Sequence, residues 1–337
     1  SKAITLNGAV TADNDVSLKA NGGDITTTAT VAATNGNVTL DASGNVNINE
    51  TVTADQNVLV TANTGNITTT AAVAAMNGNV DMTAGTNIAL DGTVTANNDV
   101  SLKAKGGDIT TTKAVKAVKA MMGNVGMTAG TGITLNGAVT ACKDVSLTAN
   151  GGDITTTAAV AAGTDVIMTA SAGIALAEEV KAGNNVSLTA TGGDITTTAA
   201  VKAGNDVDMI AGKGITIGEV VTARAGNISM LASGNDITLN QTLNATNGNV
   251  SLEATNGAIQ GTPNNPPTYH VVAKELKAKA AKGIGSGLAA LRTNISKIVG
   301  ILTGKGDIVI SQTGDLDAAL TTTDGAITVD STGKITA

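Results

Sequence analysis

Side chains able to do acid–base, nucleophilic or metal chemistry are scarce in this chain. There is one histidine, His270, one tyrosine, Tyr269, and one cysteine, Cys142. Tyr269 and His270 are adjacent in GTPNNPPTYH, residues 261–270, which also holds the three prolines, Pro263, Pro266 and Pro267. Proline cannot continue a central strand, so this segment is expected to be a loop leaving the main body, with Tyr269 and His270 as its contact residues. Glycoside chemistry needs a carboxylate pair and usually ring platforms, and no such constellation recurs, which disfavours a polysaccharide-acting enzyme. Cys142 has no partner for an internal disulfide, and neither CxxC nor Cys/His zinc spacing occurs, so neither metal nor cofactor is expected. Asp144 and Asp165 fall on equivalent positions one repeat apart and would repel unless solvated or bridged by a cation. The calcium-binding nonapeptide GGxGxDxUx is absent, so they are read as solvated corner acids.

The scaffold for these residues must be built from small parts. Of 337 residues 42% are apolar, yet there is no Phe and no Trp. A single bulky core normally relies on rings, so it is not expected here. Disorder is excluded as well, since charged residues make up only 14% and aliphatic residues recur at regular intervals. The net charge of −7 disfavours a nucleic-acid binder held by phosphate neutralisation. No apolar run is long enough to cross a bilayer as a helix, and SKAITLNGAV lacks the regions of a signal peptide.

The string ITTT starts at Ile25, Ile67, Ile109, Ile154 and Ile195, at steps of 42, 42, 45 and 41. Related halves start between them at Val46, Ile88 and Ile133 and after the last at Ile215, so the period is half of 42. An aliphatic residue after Asn or Asp marks the same period at Val16, Val38, Val58, Val80 and Val100, then at Val125 after one step of 25. The long step contains KAVKAV, residues 113–118, read as a duplication bulging outward at a corner. Segments such as DITTT, TVAA and DVSLKA alternate with period two between NGG, TNG and ADN corners, giving three short strands in about 21 residues. That spacing predicts an all-β, right-handed parallel β-helix with neighbouring rungs about 4.8 Å apart.

One column alternates in size almost strictly from rung to rung: Thr27, Ile48, Thr69, Leu90, Thr111, Leu135, Thr156, Leu176, Thr197, Ile217 and Leu239. These residues are expected to line the lumen, with the Thr hydroxyls bonded to nearby backbone because an unpaired buried hydroxyl costs about 1–3 kcal/mol. Corners carry Gly for positive φ, and Asn37, Asn57 and Asn79 are expected to stack in a ladder. Outward pairs such as Thr26 and Thr28 suggest an ice-binding face, but Asn47, Ala89 and Ala175 interrupt it on intervening rungs. Cys142 takes the corner slot of Asp13, Asp55 and Asn97 and reads as an incidental exposed thiol. N-x-S/T sequons, Asn37 among them, arise mostly because Asn corners precede Thr-rich strands.

The expected organisation is a solenoid of alternating rungs over residues 1–260, a protruding loop over 261–270, and a solenoid continuation with a basic segment over 271–337. Within that continuation ELKAKAAKGIG aligns with VSLEATNGAIQ and is read as strand. Both chain ends fall within the repeat, so uncapped strand edges are expected to meet either further rungs of a longer shaft or another copy end to end.

GGDITTTAAV, NGNVSLEATNGAI and KGDIVISQTGDL resemble the filamentous-haemagglutinin type of repeat in large bacterial exoproteins and adhesins. The resemblance covers nearly the whole chain outside residues 261–270. It implies a right-handed parallel β-helix, export to the cell surface or medium, and a shaft role in adhesion or matrix, with copies of itself or a host or matrix surface as partners. The family's amino-terminal secretion motif is not seen. The reading is therefore a non-enzymatic shaft, with a polysaccharide-acting enzyme and an ice-binding solenoid as the alternatives weighed.

Overall fold

A computed structural model describes residues 2–118, 122–262, 267–285 and 289–337. The described residues form strands and turns and no helix. They build a β-solenoid of about 15 turns whose strands pair in parallel in three sheets. Two compact units divide the chain, Ser1–Ala170 and Ser171–Ala337.

In the first unit each turn supplies one strand to each sheet. The first sheet runs from Ile4–Leu6 through Ile25–Thr27 and Val46–Ile48 to Ile154–Thr156. The second runs from Val10–Ala12 to Val160–Ala162, and the third from Val16–Ala20 to Val166–Ala170. First- and second-sheet strands have three residues and third-sheet strands five, as in Ile25–Thr27, Val31–Ala33 and Val38–Ala42. The sequence dictates these lengths. Each strand is an aliphatic-x-aliphatic, aliphatic-x-Thr or aliphatic-x-aliphatic-x-Ala run, so only two or three side chains face inward before the chain turns.

Register follows the same pattern. Ile25 pairs with Val46, Thr26 with Asn47 and Thr27 with Ile48, and the next strand continues with Ile67, Thr68 and Thr69. Because side chains alternate with period two, a slip of one residue would turn every aliphatic chain outward, and this holds like above like along each sheet. The core is therefore a set of parallel columns, Val–Val–Val, Ile–Val–Ile and Ala–Ala–Ala, almost all fully buried.

Three local expectations are corrected. KAVKAV is not an outward bulge: Val115–Ala117 is a second-sheet strand pairing Val94 below and Val139 above, and Val118 N–H donates to Ala96 O at 2.9 Å. The extra length thus falls between Val118 and Val125, where residues 119–121 lie outside the described set. Glu275–Ala280 is a strand, but Leu276 rather than Glu275 pairs with Val250. The offset closes by Ile284, which bridges to Ile259, since burial selects leucine over glutamate for the inward position. Corner glycines over most of the chain do not have positive φ, which among the described residues is confined to Gly283, Gly285, Gly306 and Gly314.

The second unit starts with the same turn, from Ile174–Leu176, Val180–Ala182 and Val186–Ala190, and then simplifies. Its first sheet ends at Ile259–Gly261, after which Ile284 makes single bridges to Ile259 and Ile308. The later turns use fewer, longer strands: Lys297–Lys305 and Leu316–Asp324 each run nine residues, pairing through Ile298↔Ala318 and Gly300↔Leu320. KIVGILTGK and LDAALTTTD contain no Asn-Gly or Asp-Gly corner, so the chain runs straight where the earlier repeats bend.

Column matching at every second rung makes a rung pair removable. Deleting residues 46–87 joins Asn45 to Ile88, keeps Thr27 below Leu90, and is expected to leave a cooperatively folding protein about 9.6 Å shorter along its axis. Circular dichroism with thermal unfolding and small-angle scattering would check this. Loss of the β spectrum in the deletion variant would contradict it.

Candidate functional site

The lumen column is the most regular feature of the repeat. Thr27, Ile48, Thr69, Leu90, Thr111, Leu135, Thr156, Leu176, Thr197, Ile217 and Leu239 are all 0–1% exposed. Within the first unit Leu90 pairs with Thr111 and Thr111 with Leu135, so each small side chain lies between two large ones. The alternation fills a narrow interior at constant volume, as close packing requires.

The threonine hydroxyls are not bonded to backbone, contrary to expectation. Oγ1 of Thr27, Thr69, Thr111, Thr156 and Thr197 is buried without a hydrogen-bond partner. The strand carbonyls point along the axis to the next rung rather than into the lumen: Thr27 O accepts from Asn49 N–H at 3.0 Å and Thr111 O from Asn136 N–H at 2.7 Å. Neighbours along the column are aliphatic, so the hydroxyl meets only hydrocarbon. The γ-methyl and the small volume are what the slot uses.

Corners are held by a second regular device. Before each third-sheet strand of the first unit stands Asp15, Asn37, Asn57, Asn79, Asp99, Asn124, Asp144 or Asp165. Oδ1 of each accepts the backbone N–H of the next, from 2.7 Å at Asn37 to 3.3 Å at Asp144. Asn37, Asn57 and Asn79 therefore do form a ladder, with backbone N–H as its recurrent donor and the Asn57 amide adding a bond to Asn37 Oδ1 at 2.9 Å. Another ladder precedes the first sheet, running Asp24, Asn45, Asn66, Asn87, Asp108 and on to Gly132 N–H. The second unit repeats both devices, for example from Asp206 Oδ1 to Asn227 N–H at 2.7 Å and from Asp194 Oδ1 to Gly214 N–H at 2.8 Å.

Only an acceptor is required at these positions, which is why Asp and Asn exchange freely. Asp144 and Asp165 are accommodated in this way: Asp144 Oδ1 accepts Asp165 N–H at 3.1 Å, and Lys143 Nζ lies 3.9 Å from Asp144 Oδ2. Hydrogen bonds from the Asn37 backbone and side chain hold the Asp15 carboxyl below its ordinary range, and those from the Thr131 hydroxyl and Gly132 N–H do the same for Asp108. Asp81, outside the ladder, is pushed up by burial and by the charge of Asp99. Where a glycine precedes a ladder residue, as at Asn37, Asn66 and Asn79, it leaves room for the acceptor of the rung before. A Cβ on Gly65 would stand 2.5 Å from Asn45 Oδ1, so close approach rather than φ explains the recurrent Gly-Asn.

Tyr269 and His270 do not form an exposed contact pair. Tyr269 is half-buried, and its carbonyl accepts the Thr242 hydroxyl at 2.6 Å. His270 is 1% exposed, with Nδ1 accepting the Arg292 N–H at 3.0 Å. Of the prolines near them, Pro263 and Pro266 lie outside the described residues and Pro267 O accepts from Arg292 Nη1 at 3.5 Å. His270 is buried because Gly261 follows Leu239 in the alternating column and has no side chain, and the imidazole occupies that space. Sequence reading missed this pairing, and its signal was the single glycine in a column of Thr, Leu and Ile. It also missed Thr293 and Gln312, a buried polar pair in which Thr293 Oγ1 donates to Gln312 Oε1 at 2.7 Å and Gln312 Nε2 donates to Ile295 O at 2.7 Å.

Outside the lumen the surfaces are shallow. A groove of about 530 Å³ on the third sheet of the first unit is lined by Ser17, Asn37, Thr39, Asn57 and Leu59. A trough of about 420 Å³ in the second unit is lined by Lys181, Lys202 and Arg224, with Lys202 paired to Glu179. No group of three or more His, Cys, Asp or Glu arranged to hold a metal occurs among the described residues. Cys142 is half-buried in its corner slot, its N–H donating to Ala117 O at 3.2 Å. Thr26, Thr68 and Thr110 lie on first-sheet strands with Asn47 and Ala89 between them, while Thr28 and Thr112 fall in corners and donate to Leu6 O and Leu90 O. No helix is long and apolar enough to cross a membrane among the described residues. Comparison with protein-family models, curated proteins and solved structures yields no match.

The chemistry available here is structural, and two substitutions separate its parts. Thr111→Val removes an unpartnered hydroxyl at nearly constant volume and is expected to stabilise the protein by about 1 kcal/mol, whereas Leu90→Ala should cost about 2–5 kcal/mol. Asn66→Ala removes the acceptor for Asn87 N–H and for the Thr86 hydroxyl and should cost about 1–3 kcal/mol. Denaturant unfolding of the three variants checks the signs.

Proposed function

We propose that this chain is the structural shaft of an extracellular bacterial fibre or adhesin and is not an enzyme. The observation that carries the reading is the repetition itself. Turn after turn has the same apolar column, the same corner acceptors and the same parallel pairing, so structure is spent on axial length rather than on one differentiated site. The resemblance of GGDITTTAAV and NGNVSLEATNGAI to filamentous-haemagglutinin-type repeats supports placement at the cell surface or in the medium.

On this reading the partners are further rungs, from the same chain or from another copy, added through the same backbone pairing that joins rung to rung. Short strands and hydrogen-bonded corners would leave few extended segments for a protease to enter, which suits an exposed fibre.

The test is location and form in the source cells. Antibody raised against the folded protein should label fibres on intact, unpermeabilised cells or in their medium by immunogold electron microscopy. Labelling that appears only after lysis would overturn the assignment.

A further inference from the structure

His270 is the one ionisable side chain among the described residues that is buried in the apolar interior. We infer that it is an acid-released plug: the neutral imidazole completes the lumen beside Gly261, and protonation drives the ring out and opens the segment around residues 267–271.

Four observations support this. First, the ring occupies a slot that belongs to another residue. Leu239 pairs with Gly261 in the first sheet, and a Cβ built on Gly261 would overlap Cε1 and Nε2 of His270. The imidazole enters from the neighbouring segment and replaces the missing inward side chain.

Second, the hydrogen bonding selects the neutral ring. Nδ1 accepts the Arg292 N–H at 3.0 Å, so the tautomer carries its proton on Nε2, which is buried without a partner. Protonating Nδ1 would turn the acceptor into a donor facing a donor, and the resulting cation would have no acceptor at either nitrogen.

Third, no acid compensates. The strand that holds Gly261 and those paired with the His270 segment are Ile259–Gly261, Leu243–Ala245, Val271–Ala273 and Leu291–Asn294, with sequences IQG, LNA, VVA and LRTN. The third-sheet strands that contact the Gly261 strand, Val250–Ala254 and Glu275–Ala280, turn Leu252, Leu276 and Ala278 inward and Glu253, Glu275, Lys277 and Lys279 outward. The one charged residue of the first four strands is Arg292, and the titratable residues adjoining the segment are Tyr269 and the exposed Lys274. Burial, and then the Arg292 charge, lower the His270 pKa to about 4 from an ordinary 6.5.

Fourth, the segment is attached by bonds that an outward ring would break together. His270 N–H donates to Arg292 O at 2.8 Å, Leu243 N–H to His270 O at 2.8 Å, and the Thr242 hydroxyl to Tyr269 O at 2.6 Å.

The direction with pH follows from the lowered value. The closed form holds the neutral ring and the open form titrates normally, so closure is fully favoured above pH 6.5. It weakens about tenfold in equilibrium constant for each pH step of one below that, and the change levels off near pH 4 after a few hundredfold.

Because the chain has one histidine, its ring signals are unambiguous in a proton–carbon NMR titration. The wild-type chain should show an Nε2-protonated neutral ring at pH 7. Hydrogen-exchange protection of the Leu243, His270 and Arg292 amides, corrected for intrinsic rates, should fall about tenfold per pH unit below 6.5. Amides of the Val46–Ile48 and Ile67–Thr69 strands should not follow. His270→Gln, which keeps an acceptor near Arg292 but does not titrate, should abolish the selective loss. A ring titrating near 6.5 in the folded protein, protection that is flat with pH, or unchanged pH dependence in the Gln variant would each overturn the plug. If the variant does not fold, the wild-type ring titration and exchange decide the matter between them.

Discussion

Strand backbone in the repeat bonds one rung along, in register, and the rest of the structure answers to that constraint. Ile25 above Val46 above Ile67 is a statement about backbone pairing before it is one about packing. Once the ladder holds residue over residue, each position becomes a column, and a column has one environment. A side chain is then chosen against two neighbours, the one below and the one above, and only weakly against anything farther along. Aromatic rings are excluded because a ring on one rung would demand smaller side chains around it, and Thr or Ala already occupies the slots that could shrink.

The lumen shows how strictly this operates. Thr and Leu or Ile alternate from Leu6 to Ile217 because repeated large chains would crowd and repeated small ones would leave voids, and the one large pair, Ile217 and Leu239, is followed by Gly261. The column accepts an unbonded hydroxyl on several rungs, because the strand carbonyls point along the axis into the neighbouring rung and not into the lumen. Where the column meets glycine at Gly261, a side chain from elsewhere in the turn fills the space, and the side chain is the chain's only histidine. A packing vacancy has thereby become the one pH-responsive position of the lumen. Thr293 and Gln312 show the other solution, a buried polar pair in which the hydroxyl and amide satisfy each other and nearby carbonyls.

Corners answer to the same ladder from outside. Asp and Asn accept a hydrogen bond from the following rung, and the preceding glycine leaves room for the acceptor, so Gly-Asn and Gly-Asp recur as a unit. The acids at these corners are thus engaged by backbone N–H groups and are poor evidence for a cation site. Their spacing also makes the outer face repetitive, consistent with a role proposed to reside in length rather than in a single pocket.

Fold class, rung length, strand number per rung and the inward identity of the Thr, Leu and Ile column were legible in the sequence, because period two within strands and period 21 between them both come from local chemistry. The corner acceptors were legible as a stack of Asn residues. Their main donor was not, because a backbone N–H carries no signature in a sequence. Hydroxyl bonding, glycine conformation and the fate of His270 were misread for one shared reason: each depends on what the adjacent rung presents to it or leaves empty. A proline-rich segment with the lone Tyr and His looks like a surface loop in one dimension. Only the tertiary structure places Gly261 beside His270 and so decides that the imidazole is core, since the vacancy it fills exists only when rungs are stacked.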